Sequence, residues 1–167
     1  MMKSEYKLTR PPVELSTAPE TVKSILQEQK DNFGFLPNMY THMANAPALL
    51  KMYLNGYRLF REETTFTPVE QEVLFLTISR ENGCDYCVGA HSMIADKMSG
   101  VPVHVTEAIR SNALIDDPKL QVLHDFTVTM LNKRGAPSRE EVEYFLSAGY
   151  SEQQIQEVIV AIAVKTL

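Results

Sequence analysis

Apolar residues recur every three or four positions along most of this chain, which is the period of a helix with one buried face. Within residues 17–33, Val22, Ile25 and Leu26 keep that spacing, and Gly34 stops it. Residues 38–45, after Pro37, predict a short helix. Pro47 opens a longer one, with Leu50, Tyr53, Leu54, Tyr57 and Phe60 in a stripe. Further helix starts are marked by capping boxes at Thr67/Glu70, Ser138/Glu141 and Ser151/Gln154. In each box a hydroxyl takes a free N–H of the first turn while the Glu or Gln reaches back. Pro68 stands at the first helical position, where its missing N–H costs nothing. Asp117-Pro118 opens another helix to about Lys133, closed by Gly135 and Pro137, and Val101-Pro102 leads into one over 106–112. No alternating run bounded by hairpin turns competes with these segments. The predicted fold class is all-α. Residues 1–16, with Pro11-Pro12, read as an extended arm, and 17–167 as one helical domain. The last stretch, Ala161 to Leu167, carries no stop signal, so the final helix is expected to be cut short or to finish against a partner.

At 167 residues, 44% apolar and 22% charged, the chain can bury a core. Its net charge of −5, with no lysine/arginine run, argues against nucleic acid or an anionic membrane as partner. No apolar stretch approaches a membrane span, and Met1-Met2-Lys3-Ser4-Glu5 lacks the apolar core of an export signal. The expected compartment is the cytoplasm. The methionines, among them Met39, Met43, Met52, Met93 and Met98, read as adaptable core filling.

The chemistry is concentrated in Gly83-Cys84-Asp85-Tyr86-Cys87-Val88-Gly89-Ala90-His91, which holds the only two cysteines. On a helix, positions 84, 87 and 91 share one side. A pair of thiols with an imidazole one turn away is the equipment of dithiol redox chemistry, and a helix N-terminus stabilises a thiolate. The preceding helix, 67–82, contributes a carboxylate. Glu70, Gln71, Thr77, Arg80 and Glu81 fall on one arc, but Glu72 points the opposite way, amid Val69, Phe75, Leu76 and Ser79. An ionisable group on an apolar face is costly unless it has a partner or a task. If Gly83 folds the two helices into a hairpin, Glu72 comes level with His91. Glu72, Cys84, Cys87 and His91 would then line one pocket. Two other readings stay open: Glu72 as an interface carboxylate paired with Arg58 or Arg80, and zinc on Cys84, Cys87 and His91, although a structural zinc site needs a fourth ligand.

Glu72, eleven intervening residues and Cys84-x-x-Cys87-x-x-x-His91 resemble the alkylhydroperoxidase AhpD family of the carboxymuconolactone decarboxylase-like superfamily. The flanking Phe66 to Val73 and Asn82 to His91 look most like its peroxidase-related branch. The resemblance implies an AhpD-like helical bundle with a central hairpin and a homo-oligomer, trimeric or hexameric. It implies a redox-active cysteine pair that reduces hydroperoxides, with a dithiol, thioredoxin-type or lipoyl-type reductant. Glu72 would be the relay acid, Cys84 and Cys87 the redox pair, and His91 the relay base. Where AhpD enzymes carry a further histidine before the second cysteine, this chain has Tyr86, an auxiliary hydrogen-bond donor at most.

The resulting expectation is a thiol-dependent hydroperoxide reductase without flavin, haem or metal. Cys87 attacks, because His91 can accept its proton, and Cys84 resolves; the spacing also permits the reverse order. The alternatives are a general thiol–disulfide oxidoreductase and a non-enzymatic oligomeric redox sensor. The final helix also carries a stripe of Ile155, Val158, Ile159 and Ile162, suited to association. Light scattering at micromolar concentration should therefore return the mass of three or more chains; a monomer mass would refute this expectation.

Overall fold

The structure is a computed structural model that describes residues 9–167. Residues 1–8 of the predicted arm lie outside the described residues. The chain forms two compact units, 1–55 and 56–167, with the division falling inside one helix. The described residues are all-α.

In the first unit, Val13 N–H donates to the Thr41 carbonyl (3.0 Å) and Asn45 Nδ2 donates to the Pro11 carbonyl (2.9 Å), tying down residues of the arm. A 3₁₀ turn, Leu15–Thr17, precedes α1, Glu20–Phe33. α1 buries Val22 and Leu26 and ends at Gly34, whose φ of 74° is readily available only to glycine. α2, Asn38–Met43, and the start of α3, Pro47–Glu63, follow. Tyr40 packs on Tyr53 with ring centroids 6.1 Å apart.

The second unit holds the rest of α3 and six more helices: α4 Pro68–Glu81, α5 Asp85–Ile94, α6 Val103–Ser111, α7 Pro118–Asn132, α8 Arg139–Ser147 and α9 Glu152–Thr166. All three predicted capping boxes are formed, at Thr67, Ser138 and Ser151. The Asp117 carboxylate caps α7 by accepting from the N–H groups of Lys119 and Leu120. α5 runs on through a π-helical turn, Ala95–Ser99, which the apolar pattern does not announce.

α4 is the centre of this unit, packed by α5, α6, α7 and α9. Every residue from Glu70 to Ser79 is buried. Of the polar arc read from the sequence, Glu70 and Gln71 are buried with partners, Thr77 is buried, and Arg80 and Glu81 are half-buried. Glu70 closes its own capping box and meets Lys119 Nζ at 3.0 Å. Burial alone would raise the Glu70 pKa, but the hydrogen bonds from Thr67 and Lys119 outweigh it and hold the carboxyl below its ordinary range. Around α4 lie Phe60, Leu123, Met130, Phe145, Val158 and Ala161, all buried. The methionines correct an expectation: Met43 and Met130 are buried, whereas Met52, Met93 and Met98 are exposed.

α3 and α9 approach closely at Gly56, where an added Cβ would stand 2.9 Å from Val164 Cγ2. Valine's β-branched side chain has little rotamer freedom with which to retreat. A mid-helix glycine normally costs about 1 kcal/mol relative to alanine, so its presence fits this contact. Gly56→Val should destabilise the fold by about 1–3 kcal/mol, read as a lower urea midpoint with an unchanged slope.

Candidate active site

The turn between α4 and α5 sets the cysteines. Gly83 takes φ 68°, and its N–H donates to the Arg80 carbonyl (2.9 Å) while that of Cys84 donates to Ser79 (3.0 Å). These bonds satisfy the carbonyls left over at the end of α4. Cys84 is thereby the N-cap of α5, one position outside the helix proper, and its sulfur accepts from the Cys87 N–H at 3.3 Å. The two sulfurs face each other with Cα atoms 5.3 Å apart, inside the range a disulfide requires. Both cysteines are half-buried, and Tyr86 between them is exposed.

On the facing helix, Glu72 has no solvent-exposed side-chain surface. Its Oε2 lies 2.9 Å from His91 Nδ1, so the hairpin register brings the two together as expected. Its Oε1 pairs with Arg61 Nη2 from α3. Arg61, rather than Arg58 or Arg80, is thus the arginine partner of Glu72 within this chain. Arg58 pairs with Glu62 and Glu63, and Arg80 with Glu81.

Arg61 is itself held on several sides. Nη2 donates to the Tyr57 hydroxyl (2.9 Å) and Nη1 to Gln71 Oε1 (3.2 Å), while Gln71 Nε2 donates to the carbonyls of Arg61 and Phe66. The guanidinium carbon lies 4.7 Å from the Phe75 ring centroid and 4.9 Å from that of Tyr57. Phe75 also meets the His91 ring edge-on at 5.1 Å and lies 5.5 Å from the ammonium of Lys165, which is buried on α9.

The electrostatics follow from burial. Desolvation is the strongest influence on His91 and pushes it below the ordinary imidazole value; Lys165 and Arg61 push the same way, against the opposing pull of Glu72. The imidazole is therefore neutral near pH 7. Burial likewise lowers Lys165 to about 8, with Glu72 pulling it back up and Arg61 adding to the fall. Burial raises the Tyr57 hydroxyl. With Nδ1–H donating to Glu72, the His91 Nε2 keeps its lone pair and is the basic nitrogen.

The four residues singled out in the sequence are thus placed by one helical hairpin, with Glu72 and His91 in direct contact. Arg61 and Lys165 were missed, and Tyr57 was read as one of the stripe aromatics rather than as a partner of the site. Tyr57 and Arg61 are an i, i+4 pair beside Phe60 on the α3 stripe, which could have drawn attention to them. Lys165 ends an apolar helix and carries no comparable signal. Among the described residues, no group of three or more His, Cys, Asp or Glu could hold a metal ion, and no helix is long and apolar enough to cross a membrane. His104 is exposed, and His124 contacts Asp125 at 3.0 Å.

Residues 47–123 match the profile of the carboxymuconolactone decarboxylase family. That stretch includes Arg61, Glu72, both cysteines and His91, and leaves out Lys165. No curated protein matches the chain. Among solved structures, the AhpD core of an uncharacterized peroxidase-related protein from Ralstonia eutropha JMP134 is 22% identical with a TM-score of 0.83, over 94% of this chain and 84% of that one. An uncharacterized peroxidase-related protein from Silicibacter sp. TM1040 is 19% identical with a TM-score of 0.77, over 96% and 87%. The debrominase Bmp8, as a cysteine-to-alanine variant with 2,3,4-tribromopyrrole, is 20% identical with a TM-score of 0.75, over 98% and 87%. These likenesses show the fold.

Removing the arginine should expose the cost of the buried carboxylate. Arg61→Met leaves Glu72 with a buried charge short of its main counter-ion, a change that costs about 3–5 kcal/mol where a buried pair is broken. Urea denaturation at pH 7 should show a loss of that order. A change below about 1 kcal/mol would mean that the pair carries little of the fold.

Proposed function

We propose that this chain, which shares its fold with AhpD-like peroxidase-related proteins and matches the carboxymuconolactone decarboxylase family profile over residues 47–123, is a thiol-dependent hydroperoxide reductase. The observation that carries this reading is the buried Glu72–His91 pair beside a cysteine pair already at disulfide distance. A general base on the helix of two adjacent thiols suits a reaction that begins by making a thiolate and ends by making a disulfide.

The chemistry runs in three steps. Neutral His91 takes the Cys87 proton at Nε2, directly or through one water, and Glu72 stabilises the imidazolium that results. The Cys87 thiolate attacks the terminal peroxide oxygen and the O–O bond breaks. The leaving alkoxide takes the proton from His91 and departs as an alcohol, leaving a sulfenic acid. Cys84, whose thiolate is favoured by the Cys87 N–H and the N-terminus of α5, then attacks the Cys87 sulfur. The S–O bond breaks, and the hydroxyl takes up the proton that the Cys84 thiol released and leaves as water. An external dithiol restores both thiols by exchange and is itself oxidised to a disulfide. One hydroperoxide and one dithiol thus give one alcohol, one water and one disulfide.

The cysteines and the Glu72–His91 pair fail differently when altered. Cys84→Ser and Cys87→Ser should each abolish dithiol-driven peroxide reduction, since one thiol cannot close the disulfide. Glu72→Gln and His91→Asn should each slow it by about 10²- to 10⁴-fold. The double variant should be little worse than the worse single one, because residues acting as a unit are not additive. Either single variant should also alkylate more slowly near neutral pH. Full turnover in a single-cysteine variant would refute the mechanism. A single stoichiometric oxidation with no turnover would favour a redox sensor, and reduction of disulfides without peroxides a thiol–disulfide oxidoreductase.

A further inference from the structure

The two oxygens of the Glu72 carboxylate are divided between two partners. Oε1 pairs with the Arg61 guanidinium and Oε2 meets His91 Nδ1 at 2.9 Å, so the three groups form one row, Arg61–Glu72–His91. Arg61 is fixed in that row by other contacts. Its Nη2 donates to the Tyr57 hydroxyl (2.9 Å) and its Nη1 to Gln71 Oε1 (3.2 Å). Gln71 is anchored in turn, its Nε2 donating to the carbonyls of Phe60 (3.3 Å), Arg61 (3.1 Å) and Phe66 (3.2 Å). Phe75 lies against both ends of the row, 4.7 Å from the guanidinium carbon and 5.1 Å from the His91 ring. A planar fork held this way presents its charge to one carboxylate oxygen in a fixed direction. Glu72 has no exposed side-chain surface and His91 is buried, so water screens little of that charge.

The row decides where a proton sits. With a cation on Oε1, Glu72 stays ionised, accepts from Nδ1–H and leaves the Nε2 lone pair free. Without that cation, the buried pair of Glu72 and His91 gains affinity for one more proton. Taken up by the ring, the proton gives an imidazolium facing the carboxylate. Taken up by Glu72, it is donated to Nδ1, and the ring's own proton moves to Nε2. Either way Nε2 carries hydrogen and no longer accepts one. The other titratable groups packed about the pair are Tyr57 from α3, Lys165 from α9, Cys87 on α5 and Asp96 in the π-helical turn. Lys119 of α7 is engaged with Glu70, and His104, Glu107 and Arg110 of α6 are exposed.

We propose that Arg61 is a positioning residue of this site: by occupying Glu72 Oε1, its guanidinium keeps hydrogen off His91 Nε2 and so leaves that nitrogen as the base for Cys87. The mention of Cys87 rests on the hydroperoxide reductase reading; the placement of the proton does not. Arg61 acts through Glu72, so its removal changes the base rather than the thiols.

The test is an NMR titration of the histidine ring nitrogens in the oxidised protein, where the cysteines do not titrate, using wild type, Arg61→Met and Arg61→Lys. In wild type near pH 7, His91 should show a protonated Nδ1 and a bare Nε2. In Arg61→Met, the pH at which Nε2 takes up its proton should rise by about 1–3 units, the effect of a lost neighbouring charge. His42, His104 and His124 serve as internal references. Arg61→Lys, which keeps a cation, should show less than half of that rise. If Arg61→Met does not fold, Arg61→Gln, whose amide can still donate to Glu72 without a charge, carries the same expectation. In turnover, the acid limb of the peroxide-reduction profile should move to higher pH by the same interval. A purely structural Arg61 would lower the urea midpoint and leave the ring titration in place. An unmoved Nε2 in a folded charge-removed variant would therefore overturn the proposal, as would a lysine variant shifted as far as methionine. The titration needs no turnover, so a chain inactive on peroxides would overturn the reductase reading while the ring nitrogens still decide the role of Arg61.

Discussion

A charge with no access to water organises this site. Glu72 sits in the middle of a helix whose residues are buried over nearly three turns, and a bare carboxylate there would be strongly unfavourable. The surrounding helices meet that demand. α3 brings Arg61, α5 brings His91, and α9 brings Lys165 to the shared aromatic surface of Phe75. The partners have partners in turn: Gln71 and Tyr57 fix the guanidinium, and Gln71 also bonds the backbone at the end of α3 and before α4. The same contacts that make the carboxylate tolerable also orient the imidazole. Stability and chemistry are therefore not separable at this position.

The cysteines depend on a different constraint, the backbone of a tight turn. Gly83 in the left-handed region lets α4 end and α5 begin without an intervening loop. Cys84 is left as the N-cap, with a backbone N–H aimed at its sulfur, while Cys87 and His91 lie one turn apart on α5. The two thiols thus receive different kinds of support. Cys84 has the helix N-terminus, which favours an anion wherever that anion comes from. Cys87 has a base on its own helix. In the proposed reductase, this asymmetry supports a division of labour in which Cys87 meets the peroxide and Cys84 resolves.

Much of this was legible in the sequence, and what was missed has identifiable causes. Capping boxes and proline positions are local, so the starts of α4, α7, α8 and α9 could be read from a few residues each. The Glu72–His91 contact was also accessible, because a hairpin with almost no loop fixes the register of its two helices. Arg61 was hidden in the charged run Arg58 to Glu63, where it looks like part of a solvated face. Only the fold of α3 against α4 turns it inward. The polar arc of α4 shows the same limit: periodicity shows which residues share a face, but not whether that face meets water. Glu70 and Gln71 are buried because α4 is surrounded, and a single helix cannot announce that about itself.

Lys165 shows the limit most sharply. It stands near the end of an apolar helix, where a lysine ordinarily complements the helix dipole or lies in solvent. Here the last turn of α9 is held against α3 at Gly56 and against the cysteine turn through Asn82, so a side chain from that turn enters the cluster around Glu72 and Phe75. The glycine is what permits this, since any larger residue at position 56 would push Val164, and with it the turn that carries Lys165, away from α3. Packing between α3 and α9 thereby adds a cation to the influences that lower His91, of which burial is the largest. His91 is shaped as much by these tertiary contacts as by its spacing from Cys87, and its basicity follows from the whole second unit rather than from the motif alone.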